Sequence, residues 1–253
     1  MLRKFHPRGM ALVAGLLSAM SASVAWAGPA RTLYTPIVSY REWELELRGG
    51  SQDWAQRTNG EQAMVAAVGY GIAPRWFTEV AAEYSRAPGE APRVEEFEWE
   101  NIIQLTEHGR YWMDVGLFAE YAHNRLKHTN KIVMGPMLQK EVGRSQFNLN
   151  VLFGRRVDKR GIGEVPITTQ MSYALQWRWH GSRPWLSPGL QGFGSLGSTG
   201  RLRSETFNLG PALFGESSLG GGRKWKYNAA VLAGLTRATP DLTVRFQLEY
   251  EFF

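Results

Sequence analysis

Carboxylates recur at every second residue in Glu42, Glu44 and Glu46 and again in Glu96, Glu98 and Glu100, while Glu79 and Glu83, and Asp114 and Glu120, stand at even separations in runs of their own. In an extended chain, side chains two residues apart share a face, so each run raises a column of negative charge. Lys131, Arg178, Lys224, Lys226 and Arg245 occupy comparable polar positions further along. The chain divides the same way: Gly28 to Arg125 holds 15 acidic and 9 basic residues, a net of −6, and Leu126 to Phe253 holds 8 and 17, a net of +9. If these columns line one interior, an acidic wall faces a basic one. A field of that kind orients and selects polar solutes in a narrow watery path. In the competing reading the same charges pair across the interior and close it, Arg245 with the glutamates near Glu44 for example.

Catalysis has less to work with. Outer-surface hydrolases need a positioned histidine with a serine or aspartate, and His108, His123, His128 and His180 all fall in predicted turns or loops. Ser172 lies on the stretch that runs up to His180, yet nothing pairs the two as nucleophile and base. The histidines are too scattered for a metal site, and the chain has no cysteine. The expectation is therefore no catalytic residue, no metal, no cofactor and no enzyme.

The elements that must position the charged columns are strands. In Pro240 to Phe253, Leu242, Val244, Phe246, Leu248, Tyr250 and Phe252 share one face, with Thr243, Arg245, Gln247, Glu249 and Glu251 on the other. The same oily-against-polar alternation recurs: Trp43, Leu45 and Leu47; Val80, Ala82 and Tyr84; Phe97, Trp99 and Ile103; Met113, Val115 and Leu117; Leu149, Val151 and Phe153; Tyr173, Leu175 and Trp177. Twelve such stretches are predicted, with the first ending before Gly49-Gly50 and with Pro136, Pro188 and Pro211 marking bulges or misplaced boundaries. Longer connections follow the odd-numbered strands (Gly49 to Gly60, Ser85 to Arg93, His123 to Asn130, Arg155 to Glu164, Gly194 to Glu205), and most others are short turns. Gly215 to Gly222 and Thr236 to Thr239 break this rule. Tryptophans and tyrosines gather near strand ends, as at two membrane interfaces. Twelve strands also enclose more space than the eight or so whose interior side chains just fill. Together these features predict an all-β fold, a closed antiparallel transmembrane barrel of about 12 strands in the bacterial outer membrane.

Arg3, Lys4 and Arg8, the apolar stretch Met10 to Val24, and Ala25-Trp26-Ala27 have the three regions of an export signal. Residues 1–27 are thus read as a cleaved signal peptide and 28–253 as the barrel. Cleavage would lower the net charge from +6 to +3, because Arg3, Lys4 and Arg8 leave. The pI of about 9.6 consequently gives no argument for nucleic acid as a partner.

The ending resembles the aromatic-terminated assembly signal of outer-membrane barrels, with Phe253 one residue out of phase with Tyr250 and Phe252. The tail GRKWKYNAAVLAGLTRATPDLTVRFQLEYEF and, more loosely, ENIIQLTEHGRYWMDVGLFAEYAH resemble proteobacterial outer-membrane barrels described as transporters, some linked by name to aromatic-compound degradation. The resemblance implies fold and compartment and transfers no binding residue. The partners expected are outer-membrane lipid, the barrel-assembly machinery during biogenesis, and small solutes, with the protein a monomer. On size and charge the barrel is expected to pass small polar or amphipathic solutes. The alternative is a structural or adhesive barrel closed by salt bridges.

Overall fold

The computed structural model describes residues 28–53, 60–86, 89–158 and 167–253. The signal segment 1–27 lies outside them, as do parts of the predicted loops after Gly49, Ser85 and Arg155. Among the described residues twelve strands follow one another: β1 (Trp43–Asp53), β2 (Glu61–Ala73), β3 (Trp76–Arg86), β4 (Arg93–Gln104), β5 (Asp114–Asn124), β6 (Thr129–Val142), β7 (Ser145–Arg156), β8 (Gln170–Trp179), β9 (Ser187–Ser198), β10 (Thr206–Gly220), β11 (Arg223–Gly234) and β12 (Leu242–Phe252). Each pairs antiparallel with its sequence neighbours, and β1 pairs with β12, from Trp43 opposite Phe252 to Asp53 opposite Leu242. The sheet is a closed barrel, which leaves no unpaired edge.

Alternation sets which face goes where. Val80 is 61% exposed and Trp99 52%, whereas their inward neighbours Glu79 and Glu100 are 4% and 3% exposed. Trp43, Leu117, Leu149, Val231 and Phe246 also stand on the outside, and Tyr173 is half-buried there. A continuous apolar outer surface around a polar, charged interior suits lipid outside and not inside, so this is a membrane-spanning barrel of the outer-membrane kind. At one rim Trp43 stacks obliquely on Tyr70 at 4.6 Å, and Trp225 on Tyr250 at 4.8 Å, part of an interfacial aromatic girdle.

Several boundaries differ from the sequence reading, among them that of β9, which continues to Ser198 inside the expected connection Gly194 to Glu205. β1 continues through Gly49-Gly50 to Asp53, because both glycines are paired on each side, with Met64 and Ala63 on β2 and with Phe246 and Arg245 on β12. Two complete ladders outweigh glycine's poor strand preference. β5 starts at Asp114 and runs to Asn124, so His123 belongs to a strand and Tyr111 to the preceding connection. β10 extends to Gly220, which reduces the apparent long connection at 215–222 to the two-residue turn 221–222. Two-residue turns also follow β2 and β6, so the rim where β1 begins and β12 ends is the short-turn rim, although nine residues join β4 to β5 and seven join β8 to β9 there, and the expected long connection after β5 is only four residues.

The prolines do not mark bulges. Across Gly135-Pro136 in β6 the register is the same before and after, Met134 opposite Phe153 and Met137 opposite Asn150, and Gly210-Pro211 in β10 behaves alike. Proline removes a donor there, and the glycine before it lets the neighbouring backbone close in. A Cβ at Gly135 or Gly210 would collide with the carbonyl of Val151 or Val231. The register shifts lie elsewhere, at Gly71/Ala73, Glu83/Tyr84, Met171/Ser172 and Ser218/Gly220.

Residues 28–42 run through the barrel before β1 begins. Gly28 lies beside Glu61 at the long-loop rim, and Arg41 N donates to Gly71 O (2.8 Å) at the short-turn rim. This strap needs room, and lumen-facing glycines supply it: a Cβ at Gly50 would approach Pro29 O to 2.6 Å, one at Gly116 would approach Pro36 Cβ to 2.8 Å, and one at Gly71 would collide with Ser39 O.

Candidate functional site: the lumen

Every predicted wall residue has its place inside the barrel or at its rim. Glu44 and Glu46 on β1, Glu79 and Glu83 on β3, Glu96, Glu98 and Glu100 on β4, and Asp114 and Glu120 on β5 point inward, with Glu42 just ahead of β1. Lys131, Arg178, Lys224, Lys226 and Arg245 share the interior on β6, β8, β11 and β12. They do not form a separate basic wall.

Arg48 is the residue that sequence reasoning missed. It follows Glu46 in phase on β1, is 3% exposed, and inserts its guanidinium among four glutamates. Nη1 contacts Glu46 and lies 4.0 Å from Glu79; Nη2 lies 3.3 Å from Glu98 and 3.1 Å from Glu100. Lys131 does the same one layer toward the long-loop rim, 3.1 Å from Glu96 and 3.2 Å from Glu120. Oxygens of Glu96, Glu98 and Glu120 come within 4.8 Å of one another, as metal ligands would, but the Lys131 ammonium sits among them. The acidic columns are thus met from within by two cations, Arg48 on β1 and Lys131 on β6. Lys224 and Lys226 pair with Glu251, and Lys224 also reaches Glu42 at 3.3 Å.

The strap is fastened to this interior. Tyr34 N donates to Asn150 Oδ1 (2.8 Å), Asn150 Nδ2 donates back to Tyr34 O (2.9 Å), and the Tyr34 hydroxyl donates to Glu100 (3.0 Å). Its ring stacks on Phe118 at 4.0 Å within a cluster of Phe118, Val133, Met137 and Leu152. Val38 N donates to Gln104 Oε1 (2.9 Å), and Thr32 donates to Gln247 (2.9 Å). The lumen holds apolar packing as well as charge: Phe193, Phe214, Ala230 and Leu232 form another inward cluster, against Leu33.

Arg245 has different company. It is 1% exposed and bonds the neutral amides of Gln191 (2.5 Å) and Asn228 (2.8 Å), with a longer contact to Gln247 (3.4 Å). The expected pairing with first-strand glutamates is not made: Gln247 stands between, donating to Glu46 at 2.5 Å and to Glu249 at 2.7 Å. Gln247 faces Arg48 in the ladder and Arg245 faces Gly50, so the two arginines lie one inward step apart.

Two cavities flank this layer. One, of about 360 Å³, lies toward the short-turn rim and is lined by Glu44, Glu46, Gln191, Asn228, Gln247 and Glu249 among others. The other, of about 270 Å³, lies toward the long-loop rim and is lined by Arg245, Thr243, Thr206, Phe193, Leu232 and the strap's first residues. Arg245 borders the second and its amide partners border the first, so this hydrogen-bonded layer partitions them. His180, in the connection after β8, donates its Nε2 hydrogen to Gln146 Oε1 (3.0 Å), and partial burial with Arg178 nearby holds its pKa below the usual histidine value. It lies far along the strand from Ser172, so no nucleophile and base meet there.

The geometry defines a membrane β-barrel with a partitioned, strap-filled lumen. No protein-family model and no curated protein matches the sequence. Among solved structures the chain is similar to the translocator domain of autotransporter NalP from Neisseria meningitidis (9% identity, 85% of this chain and 88% of that one, TM-score 0.49) and to a KdgM porin in complex with disordered oligogalacturonate (8%, 83% and 98%, 0.48). Acinetobacter baumannii outer membrane protein Omp33 is a third (11%, 84% and 97%, 0.42). Identities this low transfer no residue role.

Proposed function

We propose that this barrel is an outer-membrane channel passing small polar or weakly amphipathic solutes, with the short-turn rim in the periplasm, as such barrels are built. The observation that supports it is the pair of cavities entering from opposite rims and separated by a single layer, Arg245 with Gln191, Asn228 and Gln247. Neutral amides around one cation form a partition that side-chain rotation opens without breaking an ion pair. Passage further requires the strap to shift or to leave space beside it. An enzyme role is no part of this reading.

The second reading, a structural barrel closed by salt bridges, is favoured by one observation, the Arg48 cluster that ties β1, β3 and β4 together across the acidic side. Conductance in planar bilayers decides between them. The refolded protein is expected to give small discrete steps, larger when residues 28–39 are deleted. Glutamine at Glu96, Glu98 and Glu100 together should shift ion selectivity toward anions. A folded barrel that conducts nothing with or without the strap is the structural one.

A further inference from the structure

Pro29 and Ala30 fix where the strap begins. Both are buried, Pro29 with its carbonyl against Gly50 and Ala30 in an inward cluster with Ala63, Val65, Ala67 and Ala81. Gly28, one residue earlier, is therefore held at the long-loop end of the lumen, on the wall of the cavity there. A Cβ on Gly28 would stand 3.1 Å from Glu61 Oε1. Covalent geometry keeps the nitrogen and Cβ of one residue about 2.5 Å apart, so the Gly28 nitrogen lies within about 6 Å of that oxygen. Glu61 stands opposite Gln52 in the ladder of β1 and β2, and Gln52 Nε2 donates to its other oxygen, Oε2 (2.5 Å), which leaves Oε1 turned to the strap. Arg31 interacts electrostatically with Glu61, and a second carboxylate, Glu205, borders the same cavity.

The route of the strap constrains what can precede Gly28. β1 starts at the short-turn rim and the strap reaches it from the long-loop rim, so any chain upstream of Gly28 leaves the lumen at the long-loop rim. With the short-turn rim in the periplasm, as proposed above, that is the cell exterior. An export signal is removed at the inner membrane, on the opposite side. An intact chain would have to carry the apolar stretch Met10 to Val24 across to the outside before the barrel closed. Hydrolysis of the amide between Ala27 and Gly28 removes that conflict. Water supplies a hydroxyl to the Ala27 carbonyl carbon and a hydrogen to the Gly28 nitrogen, and the new α-amine is largely protonated at neutral pH. Where the uncut backbone has one neutral N–H, the cut chain has an ammonium with three, beside a carboxylate oxygen.

We propose that cleavage after Ala27 leaves the Gly28 α-ammonium paired with Glu61, a charged latch that holds the start of the strap in the long-loop end of the lumen. The latch rests on the predicted cleavage site and on the orientation given above, and is the same in a conducting barrel and in a closed one. It gives the strap a fastening at its first residue, ahead of those at Thr32, Tyr34 and Val38.

Intact mass of the heat-modifiable barrel extracted from outer membranes reads the first residue directly. A chain starting at Gly28 is expected, and an assembled barrel starting anywhere else overturns the proposal. The pair itself is tested by reductive methylation with formaldehyde and cyanoborohydride at pH 7, followed by mass spectrometry of the N-terminal peptide of that barrel in detergent. The Gly28 amine should react at least tenfold more slowly in the folded barrel than in urea. Glu61→Gln, which keeps the shape and an acceptor, should raise the folded rate at least fivefold, and Glu205→Gln should leave it within twofold, with heat-modifiable gel migration confirming that each variant is folded. If Glu61→Gln fails to fold, Glu61→Asp, which keeps the charge on a shorter arm, should still raise the rate several-fold. An amine labelled as fast in the folded barrel as in urea, a rate unchanged by Glu61→Gln or Glu61→Asp, or a larger effect from Glu205→Gln overturns the proposal. A latched barrel that conducts nothing would retire the channel reading alone, and a conducting barrel with a freely reactive amine would retire the latch alone.

Discussion

Arg48 and Arg245 are buried to the same degree, face the same lumen and sit on hydrogen-bonded neighbouring strands, yet they are used in opposite ways. Arg48 is surrounded by four carboxylates on three strands, and its removal strands them all. Arg245 is surrounded by amides that already bond one another: Asn228 Nδ2 donates to Gln247 (2.9 Å), and Gln191 Nε2 to Gln176 (2.7 Å). A buried charge met by charge is a staple, because breaking either partner leaves the other uncompensated. Arg245's own contacts are with dipoles, and Glu46 and Glu249 act on it only from beyond Gln247. The acidic side is therefore braced by ion pairs, and the β9 to β12 side by hydrogen bonds to amides.

The difference can be attacked first at its stronger end. Arg48→Met should destabilise the folded barrel by about 3–5 kcal/mol, the usual penalty for removing one partner of a buried ion cluster, read as the midpoint shift in urea unfolding of the barrel in lipid. A shift no larger than that of Arg245→Met would erase the distinction. Next comes the outer face: Val80→Arg should cost about 2–4 kcal/mol near mid-membrane and Gln170→Arg, on the inward face, far less. Equal penalties would mean that the inside and outside are misassigned.

Tyr34→Phe tests whether the strap belongs to the stapled half. It removes the hydrogen bond to Glu100 and should cost about 1.5–3 kcal/mol, typical for a bond to a charged group, with larger conductance steps as the strap loosens. The smallest effect is expected for Arg245→Met, about 1 kcal/mol, because its hydrogen bonds are to neutral groups and a buried charge is relieved at the same time. An Arg245→Met barrel destabilised as much as Arg48→Met would show that Arg245 is a staple too.

Much of this was legible in the chain itself. Alternation over ten or so residues fixes which side chains share a face, and twelve alternating runs with oily columns and short turns on one side leave few alternatives to a closed membrane barrel. That is why Glu44, Glu79, Glu98 and Arg245 could be assigned inward without coordinates. Arg48 was equally in phase with Glu44 and Glu46, and was lost only because Gly49-Gly50 reads as a turn; pairing on both sides overrides that local signal. Which cation meets which anion is another matter. Phase says inward and nothing about depth or azimuth, so Lys131 among the glutamates, and Arg245 among the amides, follow from strand order and register in the closed ring. The strap is the extreme case. Residues 28–42 carry no periodic pattern, and their path is set by what the closed barrel offers them: glycines at 50, 71 and 116 that leave space, and Asn150, Glu100 and Gln104 that receive its polar groups. The hydrogen bonds to Asn150, Glu100 and Gln104 join residues more than sixty positions apart, and only the closed barrel brings them together.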